Sequence, residues 1–214
     1  MTSPDGKRIA FTDVVSNDYS RLAQWRILLI SAEGGNPESL PLGSRPSPTD
    51  PTWSPDGKFL AFGYGGSPAQ PASIHIYGLE THQTSKVKGS DGISSPRWSP
   101  DGRYIVAVTS DSQNLTLFDL RTQKWSTIAS VGGAGFQVWS RDSRYVYFDN
   151  CRLEDWAVYR VAIADRKVER FLSLKGISRP PDIDVYVGLA PDDSVLVLRS
   201  AAAPEIYALD WEAP

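Results

Sequence analysis

A Ser-Pro-Asp-Gly turn recurring every 41 to 51 residues, a short apolar strand after each copy, and no sustained 3.6-residue period predict an all-β chain. Four short strands per repeat at this spacing is the period of a propeller blade. The predicted fold is therefore a β-propeller of about five four-stranded blades, incomplete at both ends. It forms one domain, 1–214, with units of approximately 1–50, 51–95, 96–136, 137–183 and 184–214.

The turn reads Ser3-Pro4-Asp5-Gly6, Ser54-Pro55-Asp56-Gly57 and Ser99-Pro100-Asp101-Gly102. It decays to Ser140-Arg141-Asp142-Ser143 and Ala190-Pro191-Asp192-Asp193. Pro presets φ at the second position, and Gly leaves the turn with φ > 0. Ser and Asp side chains accept hydrogen bonds from the turn's own amides. Recurrence once per unit assigns Asp56, Asp101 and Asp142 to the turn rather than to a carboxylate ring for a metal. Trp53, Trp98 and Trp139 precede the turn at the end of an inner strand, where a large ring fills the wedge between sheets.

The strand after the turn is Ile9-Ala10-Phe11, Phe59–Phe62, Tyr104–Val108, Tyr145–Phe148 and Val195–Leu198. A second apolar strand follows at Arg26–Ile30, Ile74–Tyr77, Leu115–Phe118, Val158–Val161 and Ile206–Leu209, and polar turns close the units. Only Met1 and Thr2 precede the first turn, so unit one lacks its inner strand. Unit five reaches Pro214 without its outermost strand. Such a seam exposes unpaired backbone and favours a homodimer through open blade edges, or marks a piece of something larger.

Composition narrows the function. Lys+Arg is 22 and Asp+Glu 25, a net charge of −3, which argues against nucleic acid or a membrane surface as partner. Cys151 is the single cysteine, so no internal disulfide forms, and as a buried thiol it is inert. His75 alternates with Ile74 and Ile76 as a strand histidine, and His82 lies in a polar turn. There is no Gly-x-Ser-x-Gly elbow and no P-loop. No catalytic residue, cofactor or metal is expected. No targeting segment is read at the N-terminus, which places the chain in the cytoplasm, or in the periplasm within a longer secreted or anchored protein.

The run Trp-Ser-Pro-Asp-Gly-Lys/Arg, an Ile-Ala-Phe-like strand, then an Ile-Tyr-like strand resembles the WD40-like repeat of TolB-type β-propellers across nearly the whole chain. Asp101–Tyr104, Thr122–Trp125, Asp165–Glu169, Gly188–Ser194 and Ile206–Glu212 are similar to the C-terminal propeller of acidobacterial winged-helix transcriptional regulators. That resemblance implies a sensory or interaction module. No winged helix is present, so DNA binding is not carried over.

Propellers bind at the mouth of the central channel, where loops of several blades converge. Thr52, Arg97, Val138 and Gly188, each just before the final inner-strand position, are the expected contacts for a protein or small-molecule ligand. Arg97 with Lys58, Arg103 and Arg144 forms either a basic rim for an anion or solvated charges balancing nearby Asp. Trp125, Trp156 and Trp211 mark a protein interface or inter-blade packing. The expected function is non-enzymatic sensing or protein interaction, in a chain taken to end at Pro214. The alternatives are the accessory propeller of a prolyl-oligopeptidase-like hydrolase and a stand-alone propeller lactonase or lyase.

Overall fold

The computed structural model describes residues 1–15, 24–42, 47–66, 70–150, 156–177 and 187–197. Cys151, Trp211 and the expected strand Ile206–Leu209 lie outside the described residues.

The chain forms antiparallel sheets in sequence order and, among the described residues, no helix. The first sheet holds β1 (Arg8–Val14), β2 (Trp25–Ser31) and β3 (Glu38–Ser39). The second holds β4 (Pro48–Trp53), β5 (Phe59–Tyr64), β6 (Ser73–Gly78) and β7 (Thr84–Lys86). The third holds β8 (Ile93–Trp98), β9 (Tyr104–Thr109), β10 (Asn114–Asp119) and β11 (Lys124–Ser130). The fourth holds β12 (Ala134–Trp139), β13 (Tyr145–Asn150), β14 (Ala157–Ala162) and β15 (Val168–Ser173). A hairpin of β16 (Val187–Leu189) and β17 (Val195–Val197) follows.

The expectation of about five four-stranded blades, incomplete at both ends, is corrected in its blade count. The described residues build four blades, three of them four-stranded, and a two-stranded hairpin in place of the fifth. Among the described residues the first blade has no inner strand; a single bridge, Thr2 to Ile9, stands in its place. Among them the array is an incomplete propeller.

β5, β9 and β13 are buried on both faces, which is why they read as unbroken apolar runs instead of alternating ones. Odd and even positions serve different neighbours. Leu60 joins Ala10 and Trp53 between the first two blades, whereas Ala61 joins Ile105, Ala107 and Phe118 between the second and third. Val106 and Leu117 meet Val146, Phe148 and Trp139 between the third and fourth. Trp156, Val158 and Leu174 carry Leu189 and Val195 of the hairpin. Trp156 is thus buried in inter-blade packing and presents no interface.

The blade turn is a closed hydrogen-bond unit. The Ser hydroxyl donates to the Asp carboxylate at 2.5 to 2.8 Å in the first four copies. The same oxygen accepts the amide of Arg8, Phe59, Tyr104 or Tyr145, at 2.9 Å each time. The carboxylate accepts the amide two residues on, from Lys7, Lys58, Arg103, Arg144 and Ser194. Gly57 and Gly102 sit at φ 69° and 74°, as their turn position requires. Ser143 and Asp193 take the same left-handed conformation at a steric cost, and each spans to the preceding turn. Ser143 Oγ accepts the Asp101 amide and Asp193 Oδ1 the Arg141 amide, both at 3.0 Å.

These bonds hold Asp5, Asp56, Asp142 and Asp192 ionised. The Arg144 amide and the Ser140 hydroxyl bring Asp142 down to about 2 from an ordinary 3.8. The partner hydroxyls of Ser3, Ser54 and Ser194 lower Asp5, Asp56 and Asp192 in the same direction. A carboxylate whose folded pKa is depressed stabilises the fold above its unfolded pKa and loses that contribution as pH falls through its folded value. The urea midpoint is therefore expected to hold steady above about pH 5 and to fall between about pH 4 and 2. Asp142→Asn should flatten that fall. A midpoint independent of pH over this interval would refute the linkage.

Candidate functional site at the channel mouth

The inner strands β4, β8 and β12 share a distortion that positions the site. Each is bulged against its partner, between Thr49 and Thr52, Ser94 and Arg97, and Gly135 and Val138. One residue in each bulge is left-handed: Asp50 (φ 54°), Ser95 (φ 53°) and Phe136 (φ 48°). Non-glycine residues adopt this conformation at a cost and concentrate it where a strand is re-aimed.

The bulges are tied to one another across the blades. Ser95 Oγ donates to Asp50 Oδ2 at 2.8 Å, and Gln137 Nε2 donates to the Ser95 carbonyl. Gln137 is buried, 2% exposed, whereas the Asp50 side chain is 42% exposed, so the girdle runs from the interior out to solvent. The Arg97 guanidinium stands 3.9 Å from Asp50 Oδ1 and donates to the Pro96 carbonyl at 2.8 Å.

Just beyond the girdle, a cavity of about 210 Å³ opens between the inner strands. Thr52, Arg97 and Val138, expected from sequence, all line it, with Met1, Trp98 and Phe136. Gly188 lies in β16 and does not line this cavity. Thr52 is buried, and its hydroxyl accepts the Trp98 amide at 3.2 Å, so it holds the blade seam as well as the wall. Arg97 alone of the four basic candidates reaches the cavity. Arg103 pairs with Asp119 at 3.2 Å and lies over the Tyr104 ring, and Arg144 pairs with Asp142. Those two charges balance nearby carboxylates and give no second cation at the cavity.

The tryptophans do more than fill wedges. Trp53 Nε1 donates to the Met1 carbonyl at 3.0 Å and Trp139 Nε1 to the Arg97 carbonyl of β8 at 2.9 Å, each reaching the preceding blade. The third departs from the pattern. Trp98 Nε1 turns back to Gly102 of its own turn, at 3.4 Å.

Elsewhere, His75 Nε2 meets Ser73 Oγ at 3.2 Å, its ring lies edge-on to Tyr64, and burial lowers its pKa. It is held as part of the sheet. His82 Nδ1 meets Tyr77 Oη at 2.7 Å in its exposed turn. Trp125 packs on Phe118 and donates to the Lys88 carbonyl at 2.9 Å. Among the described residues no group of three or more His, Cys, Asp or Glu could hold a metal ion. No helix among them is long and apolar enough to cross a membrane.

Sequential four-stranded sheets around bulged inner strands define a β-propeller of the blade-turn type. The family model described as TolB beta propeller domain matches residues 5–202, and the chain belongs to that family. No curated protein matches the sequence. Among solved structures, TolB from Acinetobacter baumannii is similar at TM-score 0.69 and 19% identity, over 92% of this chain and 48% of that one. An oligogalacturonate lyase from Vibrio parahaemolyticus gives 0.66 and 15%, over 90% and 59%. Acylaminoacyl peptidase from Pyrococcus horikoshii gives 0.59 and 16%, over 89% and 33%. The chain spans less than two thirds of each, and at these identities the likeness is one of fold.

Proposed function

We propose that this propeller is a non-enzymatic interaction or sensing module that takes an anionic group of a protein or small-molecule partner at the channel mouth. The observation that carries this reading is the convergence of Thr52, Arg97 and Val138, from three successive blades, on one cavity with a single guanidinium. The Arg97 side chain is 19% exposed, and its 3.9 Å approach to Asp50 leaves donors for an incoming carboxylate. The regulator context, with a DNA-binding domain elsewhere in the protein, rests on the sequence resemblance of Asp165–Glu169 and Gly188–Ser194. The enzyme readings rest on fold likeness to a lyase and a peptidase.

Fluorescence anisotropy with a panel of labelled acidic and neutral decapeptides tests the proposal. Acidic members are expected to bind, more weakly with added salt, and Arg97→Glu should cost about tenfold or more in affinity. Binding indifferent to Arg97→Glu would sink the channel-mouth reading. Turnover of an ester, lactone or oligogalacturonate panel would replace it with an enzymatic one.

A further inference from the structure

The seams between blades are built from equivalent positions, and one is built differently. In the first seam the Arg8 guanidinium lies over the Trp53 ring, 5.0 Å from its centroid, and the indole is 6% exposed. In the third seam Tyr104 stacks on Trp139 at 6.4 Å and 16°, and that indole is 7% exposed. The equivalent of Arg8 and Tyr104 in the second seam is Phe59, the residue that follows its own blade turn by the same step. Phe59 is 38% exposed, and Trp98 points back to Gly102. Beside Trp98 a solvent-open cleft of about 450 Å³ separates the second and third blades.

The cleft is lined by Pro55, Phe59, Ile76, Trp98 and Leu120, all carbon-rich. Its two ionisable lining groups, Asp56 and Asp101, are carboxylates. A cavity of several hundred cubic ångströms with apolar walls suits a small molecule. The carboxylates disfavour an anionic one. Trp98 also lines the channel cavity, so this residue borders both spaces.

We infer that the cleft between the second and third blades is a binding site for an uncharged, largely apolar small molecule, with Trp98 as a residue it shares with the channel. The inference is independent of what the channel binds. An occupant replaces the contacts that Arg8 and Tyr104 supply in the other seams. It also fixes Trp98 beside Thr52 and Arg97.

The test is a titration of the chain with uncharged N-phenyl-1-naphthylamine, followed by its fluorescence. Saturable single-site binding is expected. Ile76→Phe fills the cleft and should weaken binding by about tenfold or more, with the far-UV circular dichroism unchanged. Phe59→Arg copies the first seam onto Trp98 from an exposed position and should weaken binding likewise. Phe171→Ser, on the exposed edge strand β15, should leave affinity unchanged. The inference is overturned by the absence of a saturable signal, by undiminished affinity in folded Ile76→Phe or Phe59→Arg, or by loss on Phe171→Ser.

Discussion

Trp139→Ala is expected to destabilise the propeller by about 3 to 5 kcal/mol, the largest effect of any single substitution considered. Three losses coincide. The ring is 7% exposed within the core shared by Val106, Val108, Phe148 and Val161, so truncation leaves a cavity bounded by two sheets. It removes the stack on Tyr104. It also removes the donor to the Arg97 carbonyl, the bond that ties the fourth blade to the third beside the channel. Trp139→Phe keeps most of the volume and should cost about 1 kcal/mol for the missing hydrogen bond plus a smaller packing loss. Trp98→Phe should cost less than Trp139→Phe, because its N–H reaches only Gly102 at 3.4 Å and its ring is half-buried. Urea unfolding of the three variants checks this order, and equal losses for Trp98→Phe and Trp139→Phe would contradict the distinction between the seams.

Ser99→Ala is the second large effect, at about 1 to 3 kcal/mol. The hydroxyl is fully buried and does two jobs, accepting the Tyr104 amide at 2.9 Å and donating to Asp101 at 2.5 Å. Alanine leaves that amide without its partner and removes one of the donors that hold the Asp101 carboxylate. The chain contains a natural version of this change. Ala190 occupies the Ser position of the last turn, and there Ser194 supplies the missing hydroxyl, donating to Asp192 at 2.6 Å. Ser194 corresponds to Arg103 in the third unit. The double variant Ser99→Ala with Arg103→Ser is therefore expected to recover part of the loss, read as a shift of the urea midpoint back toward the parent. A double variant less stable than Ser99→Ala alone would show that the last turn is not a transferable solution.

The parts of this fold that sequence reveals are those whose partners are close along the chain. The Ser and Asp bonds that close each blade turn fall within six residues, so the motif could be read even where Gly had become Ser143 or Asp193. A related device at the opposite end of the third blade, Thr109 Oγ1 donating to Asp111 and accepting the Asn114 amide, was missed because it lacks Pro and Gly. That Thr52, Arg97 and Val138 line one cavity follows from their place before each tryptophan. The left-handed bulges at Asp50, Ser95 and Phe136 do not, because the bonds that tie them across the blades join residues 42 to 45 positions apart. The available signal was Asp50-Pro51 and Ser95-Pro96, since proline inside a strand is tolerated at bulges. The orientation of Trp98 was equally hidden. Three identical tryptophans in one motif are sorted by Arg8, Phe59 and Tyr104, residues of the blade before.

The seam hydrogen bonds have a direction. Each latched indole reaches back to a backbone carbonyl of the preceding blade, and the last two turns reach back in the same sense, to Asp101 and Arg141. In these four bonds a blade carries its own fastening and takes from its predecessor a backbone group, whereas the second seam also draws on the Thr52 hydroxyl and the Asp50 carboxylate. A duplicated segment one repeat long would arrive with its fastening included. Propellers built on this plan can change length by copying or losing whole units while the remaining seams keep their chemistry.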